Sequence, residues 1–192
     1  GDERRTEIQD VEDEIDIEDL IEEEDCCYTL SNAGYIKRLP VDTYRTQRRG
    51  GRGVSGQSLK EEDYVKNLFI ASTHDYVLFF TNTGRVHRKK GYLIPEAGRT
   101  ARGTNIVNIL PLEQGERVTA MLLTREFTDH EYLMMVTRGG TVKRIRLDAL
   151  YTARKAGIRA LSLDDGDELI AVLKTNGSDN ILLATRQGMA IC

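Results

Sequence analysis

Leu78-Phe-Phe-Thr-Asn-Thr-Gly-Arg-Val-His-Arg88 reads as an apolar run, a polar turn closed by glycine, and a second run that ends in basic residues. Two short runs on either side of a glycine turn specify a β-hairpin. The pattern is not unique in the chain. It occurs earlier as Tyr28-Thr-Leu-Ser-Asn-Ala-Gly-Tyr-Ile-Lys-Arg38 and later as Met134-Met-Val-Thr-Arg-Gly-Gly-Thr-Val-Lys-Arg144. It begins again as Leu182-Leu-Ala-Thr-Arg-Gln-Gly-Met-Ala-Ile191. The turn glycines Gly34, Gly84, Gly140 and Gly188 are spaced by 50, 56 and 48 residues, the period of a propeller-type blade.

A second landmark follows each complete hairpin. Gly53 and Gly103 lie 19 residues after their turn glycines and Gly157 lies 17 after its own, each introducing a short strand, as over 104–110. An acidic turn comes next, then an apolar strand beginning at Val65, Val118 or Leu169. Four strands per repeat give an all-β fold of four-stranded blades. The repeats are read as 26–75, 76–130 and 131–178, with an incomplete fourth over 179–192. Stopping within a repeat leaves an open array, so the chain is expected to be part of a longer protein.

The net charge of −4 over 192 residues conceals two opposite parts. Residues 1–25 carry 14 acids and 2 bases and are read as an acidic lead-in, a linker or short helix that could compete with phosphate for the basic body. The remainder carries 25 bases and 17 acids. Most of those bases, 17 of the 25, fall between the two landmark glycines of each repeat, whereas the acids gather mainly in the later turns. Repeat one supplies Lys37 and Arg38, repeat two Arg85, Arg88, Lys89, Lys90 and Arg102, and repeat three Lys143 and Arg144, with Arg159 two residues past its landmark glycine. Equivalent positions of stacked blades share a rim, so this periodicity predicts a positive band suited to the backbone of duplex DNA. A set of solvated charges would instead mix signs along each repeat. Few aromatic residues interleave with the bases, which disfavours a single-strand stacking platform.

Catalysis finds little support. The histidines His74, His87 and His130 stand in unrelated settings, and no phosphate-binding loop, HExxH or G-x-S-x-G motif occurs. No catalytic residue, metal ligand or bound cofactor is expected. The adjacent Cys26 and Cys27 are read as small packing residues, in keeping with a reducing cytoplasm. The apolar runs are too short to span a bilayer as helices.

The densest basic stretch is Gln47-Arg48-Arg49-Gly50-Gly51-Arg52-Gly53, in which guanidinium groups alternate with residues that let a backbone come close to an anion. This heptapeptide resembles the gyrase A box at all seven positions, and the turns around Gly34 and Gly84 are similar to those of the C-terminal domain family of bacterial DNA gyrase A subunits. The resemblance implies a six-bladed β-pinwheel whose blades exchange strands, of which about three and a half would be present. It also implies that duplex DNA is wrapped without base preference, which allows ATP-dependent negative supercoiling by a holoenzyme that contains a second A subunit together with the B subunit. On that analogy Arg48, Arg49 and Arg52 contact phosphate, and Gly50, Gly51 and Gly53, with Gln47, allow the approach. ATP and magnesium would act in other parts of the holoenzyme. The topoisomerase IV equivalent and a propeller used as a protein-interaction platform are the competing readings.

Overall fold

The computed structural model describes residues 17–41, 63–151, 157–180, 183–184 and 190–191. Two compact units divide the chain. The first comprises Gly1–Asp75 with Lys90–Ile106, and the second comprises Tyr76–Lys89 with Val107–Cys192.

The first unit is built on β1 (Asp25–Ser31), β2 (Tyr35–Pro40) and β3 (Val65–Ser72). β1 and β2 form the first hairpin, with Cys26 opposite Pro40 and Leu30 opposite Ile36. β3 lies antiparallel along the other side of β1. The fourth strand comes from the next repeat: β6 (Thr104–Asn105) pairs with the start of β2, Asn105 opposite Tyr35 and Thr104 opposite Ile36. Sheet order is therefore β3-β1-β2-β6. Cys26, Tyr28, Leu30 and Ile36 are buried, and Tyr28 stacks on Phe69 with ring centroids 5.5 Å apart. β1 is covered on both faces from Cys26 to Ser31, the polar Thr29 and Ser31 included.

The second unit repeats the arrangement. β4 (Tyr76–Thr81) and β5 (Arg85–Lys90) make its hairpin, and β7 (Val118–Thr124) runs along β4. β10 (Ile158–Arg159), again from the following repeat, pairs with β5 to give the order β10-β5-β4-β7. A third hairpin of β8 (Tyr132–Thr137) and β9 (Val142–Arg146) is flanked by β11 (Leu169–Thr175) in a three-stranded sheet. β12 (Leu183–Ala184) and β13 (Ala190–Ile191) form a short pair. Leu78, Phe80, Val86, Leu133, Met135 and Leu147 belong to one continuous core in this unit.

The all-β, four-stranded blade and the exchange of strands between repeats are thus as expected, but the donated element is shorter than the sequence suggests. Of the strand anticipated over 104–110, only Thr104–Asn105 pairs. At Ile106 the chain turns into a 3-10 segment, Ile106–Asn108, because the Ile106 side chain is buried against Gly34 while its N–H donates to the Gly34 carbonyl at 2.8 Å. Satisfying one buried group ends the ladder.

Before β1, residues 17–20 form one helical turn. The Glu24 and Thr73 backbones then hold this approach in place: Thr73 N–H donates to the Glu24 carbonyl at 2.9 Å, and Glu24 N–H donates to Thr73 Oγ1 at 3.2 Å. Cys26 and Cys27 are both buried free thiols, with burial raising each pKa.

Candidate nucleic-acid interface

The heptapeptide Gln47, Arg48, Arg49, Gly50, Gly51, Arg52 and Gly53 lies outside the described residues. The remaining candidate cations are placed by the hairpin frames, and they fall into two groups.

Those nearest the turns of the first two repeats are largely engaged in the fold. Lys37 is 1% exposed, and its Nζ donates to the carbonyls of Gly98, Arg99 and Ala101 at 2.9, 2.9 and 3.0 Å. Its three hydrogens are used up, leaving none for a phosphate. Burial pushes the Lys37 ammonium below its usual range. Arg38, the next residue, donates from Nε to the Ile94 carbonyl at 2.7 Å and pairs with Glu96 at 3.5 Å. Ile94 ends the 3-10 turn Gly91–Leu93, so a guanidinium from repeat one caps the carbonyl end of a turn in repeat two.

Repeat two does the same to repeat three. Arg88 donates to the Tyr151 carbonyl, just beyond the 3-10 turn Leu147–Leu150. Its guanidinium carbon lies 5.1, 5.6 and 5.5 Å from the ring centroids of Tyr76, Phe127 and Tyr151, a cation held among three aromatic faces. Beside it, buried His87 approaches Glu116 with Nε2 and Oε1 3.4 Å apart. Burial pushes the His87 pKa down despite that carboxylate. Glu116 is held below the usual carboxylate range: burial acts to raise it, but the Glu113 N–H at 2.8 Å and Arg85 at 3.3 Å outweigh burial. Arg85 also pairs with Glu113 at 2.7 Å.

Lys90, in the first unit, donates to Glu18 Oε1 and to the His74 carbonyl, each at 3.0 Å. The acidic lead-in therefore neutralises one of the candidate bases directly. Arg102 lies 3.9 Å from the centroid of Tyr35 and is half-buried, as is Lys89.

The second group is exposed. Lys143, Arg144 and Arg159 all face solvent on β9 and β10. Lys143 meets the Ala160 carbonyl at 3.3 Å, and Arg144 lies over the Tyr132 ring at 4.8 Å. Sequence reasoning counts Arg146 among the bases of repeat three but does not foresee its partner: Arg146 is exposed and forms a two-point ion pair with Asp148 at 2.9 and 3.1 Å. It also misses the aromatic partners of the arginines. An aromatic residue one position after the turn glycine, as at Tyr35, is the available signal.

Among the described residues, no three His, Cys, Asp or Glu side chains converge as a metal site. No described helix is long and apolar enough to cross a membrane.

A family model described as "DNA gyrase C-terminal domain, beta-propeller" matches residues 27–72, 75–125 and 131–176. The whole chain aligns with the DNA gyrase A subunits of Clostridium acetobutylicum and Escherichia coli K12, at 49% and 48% identity. It spans 23% and 22% of the lengths of those relatives. Among solved structures, the C-terminal domain of DNA topoisomerase IV superposes with a TM-score of 0.76 at 25% identity, over 89% of this chain and 52% of the other. A DNA gyrase A C-terminal domain superposes with a TM-score of 0.65 at 24% identity, over 87% and 53%.

Proposed function

Because the chain belongs to the DNA gyrase C-terminal domain family, we propose that it binds duplex DNA through phosphate contacts and wraps it for a gyrase A subunit. One observation carries this reading. Basic residues recur after each turn glycine, as Lys37-Arg38, Arg88-Lys89-Lys90 and Lys143-Arg144, and Arg159 is exposed on the donated strand β10. Cations at recurring positions suit an anionic polymer whose charges also recur.

The intact heptapeptide Gln47–Gly53 adds three arginines within seven residues and favours this reading over a topoisomerase IV equivalent. Contacts of this kind position a duplex without reading its bases, as wrapping requires. In the holoenzyme, with the B subunit plus a second A subunit, the wrap would present a neighbouring DNA segment for strand passage. ATP and magnesium act there, outside this chain, and the bacterial cytoplasm is the setting.

Duplex affinity measured as salt is raised tests the proposal. The chain is expected to bind without sequence preference, with log K falling steeply and linearly in log salt, because each neutralised phosphate releases roughly 0.9 of a counterion. Replacing Arg48, Arg49 and Arg52 together with Ala is expected to make that slope shallower by up to about three. Undetectable or salt-insensitive binding of duplex by the unsubstituted chain would sink the reading.

A further inference from the structure

Lys37 is costly to bury, and its cost requires a reason. An ammonium 1% exposed must give up its hydration, which an apolar side chain of similar length would not. What the ammonium supplies is backbone capture. Its three donors reach three carbonyls of a single loop, those of Gly98, Arg99 and Ala101. The same strand grips the loop at two further points. Tyr35, which shares a face of β2 with Lys37, has Arg102 lying 3.9 Å from its ring centroid. At Gly103, with φ of +94°, a Cβ would come within 2.5 Å of the Ile36 carbonyl oxygen and 3.2 Å of Lys37 Cβ. Three consecutive residues, Tyr35, Ile36 and Lys37, therefore fix Gly98–Gly103 by a ring, by the backbone and by an ammonium.

This loop holds a particular place in the repeat. It precedes the second landmark glycine, Gly103, as Arg48–Arg52 precedes Gly53, and it carries two bases of its own, Arg99 and Arg102. We propose that Lys37 is the positioning residue of this loop: without touching DNA, it holds the backbone between Arg99 and Arg102 so that both guanidinium groups meet consecutive phosphates already ordered. The ordering cost is then met on folding rather than on binding, and affinity rises accordingly. The inference rests on the reading that the chain binds duplex DNA.

The test uses the full chain and Lys37→Met, which keeps length and removes the donors. Amide exchange over residues 99–103, measured without DNA, is expected to quicken at least about tenfold. Duplex affinity at about 0.1 M salt is expected to fall about tenfold, with the salt slope shallower by about two. In a chain already carrying Arg99→Ala and Arg102→Ala, Lys37→Met is expected to cost little further affinity, since a residue acting through those arginines has nothing left to position. Unchanged exchange overturns the proposal, as does quickened exchange with unchanged affinity. A full additive loss in the arginine-free background also overturns it, because it would mark a general structural role. If Lys37→Met does not fold, Lys37→Gln, which keeps two donors, goes through the same measurements. No duplex binding by the unsubstituted chain overturns the functional reading itself, which separates that failure from one confined to Lys37.

Discussion

The hairpin strands β2 and β9 are close in sequence, Tyr-Ile-Lys-Arg against Thr-Val-Lys-Arg after the turn glycine, yet their environments differ. In β2, Ile36, Lys37 and Leu39 are buried, whereas every residue of β9 except half-buried Ile145 is exposed. The difference is the neighbour. β2 is paired on its open side with β6 from the following repeat, while β9 is the edge of a three-stranded sheet. In β2 the donated strand thus encloses the lysine at this repeat position and makes it an internal tie. Sequence position sets what a side chain can do, and the donated strand decides which of those things it does.

The sharpest way to break this comparison is through the turns. Gly84 and Gly140 both hold positive φ, +81° and +90°, so an alanine at either costs about 1–2 kcal/mol of backbone strain. At Gly84, however, a Cβ would collide with the carbonyl oxygen of Leu161, just beyond β10, whereas at Gly140 it would meet nothing within 4 Å. Gly84→Ala is therefore expected to cost about 2 kcal/mol more than Gly140→Ala, read from urea midpoints of the second unit. Equal losses would show that the donated segment does not press on the turn.

A smaller contrast separates the two arginines four residues after those glycines. Arg88 sits among three rings and caps a 3-10 turn of the next repeat, whereas exposed Arg144 has one ring. Arg88→Ala is expected to lower stability by about 1–2 kcal/mol and Arg144→Ala by about 0.5, measured in the same way. A larger loss at Arg144 would contradict the assignment of roles.

The smallest effect is a dependence on pH near neutrality that comes from repeat two. Burial lowers the His87 pKa from its ordinary 6.5, so over the interval between the folded and unfolded values the unfolded chain binds more protons. The contribution is complete above that range and declines as pH falls below about 6.5. Glu116, held low, keeps its own contribution above its ordinary 4.5 and loses it only at more acid pH. Urea midpoints between about pH 5.5 and 7.5 should fall toward the acid end, and His87→Gln should flatten that part of the slope. A slope unchanged by His87→Gln would show that the imidazole titrates freely.

The hairpins are legible in the sequence because each combines a turn glycine with short apolar runs, all within about ten contiguous residues. The exchanged strand is harder to place. Its partner lies about 70 residues away, and two paired residues leave no periodicity to read. The basic positions are visibly recurrent, but recurrence does not entail exposure. Lys37 alternates with buried Ile36 on a strand covered on both sides, and a single sequence does not say that a cation at such a site is enclosed. The variation at that position carries a hint: lysine in repeats one and three and histidine in repeat two suit a need for hydrogen-bond donors as well as for charge.

The borrowed fourth strand also bears on how the chain is made. The segment that repeats runs from one hairpin to the next, but the segment that closes a sheet runs further, through the second hairpin to Asn105 for the first sheet. During synthesis from the N-terminus, β2 therefore waits with one side bare until the second hairpin has left the ribosome, and only then can Lys37 find its carbonyls. Duplication of such a chain copies a sequence module, while folding ratifies a module shifted along it. Each new repeat completes its predecessor before it is itself complete.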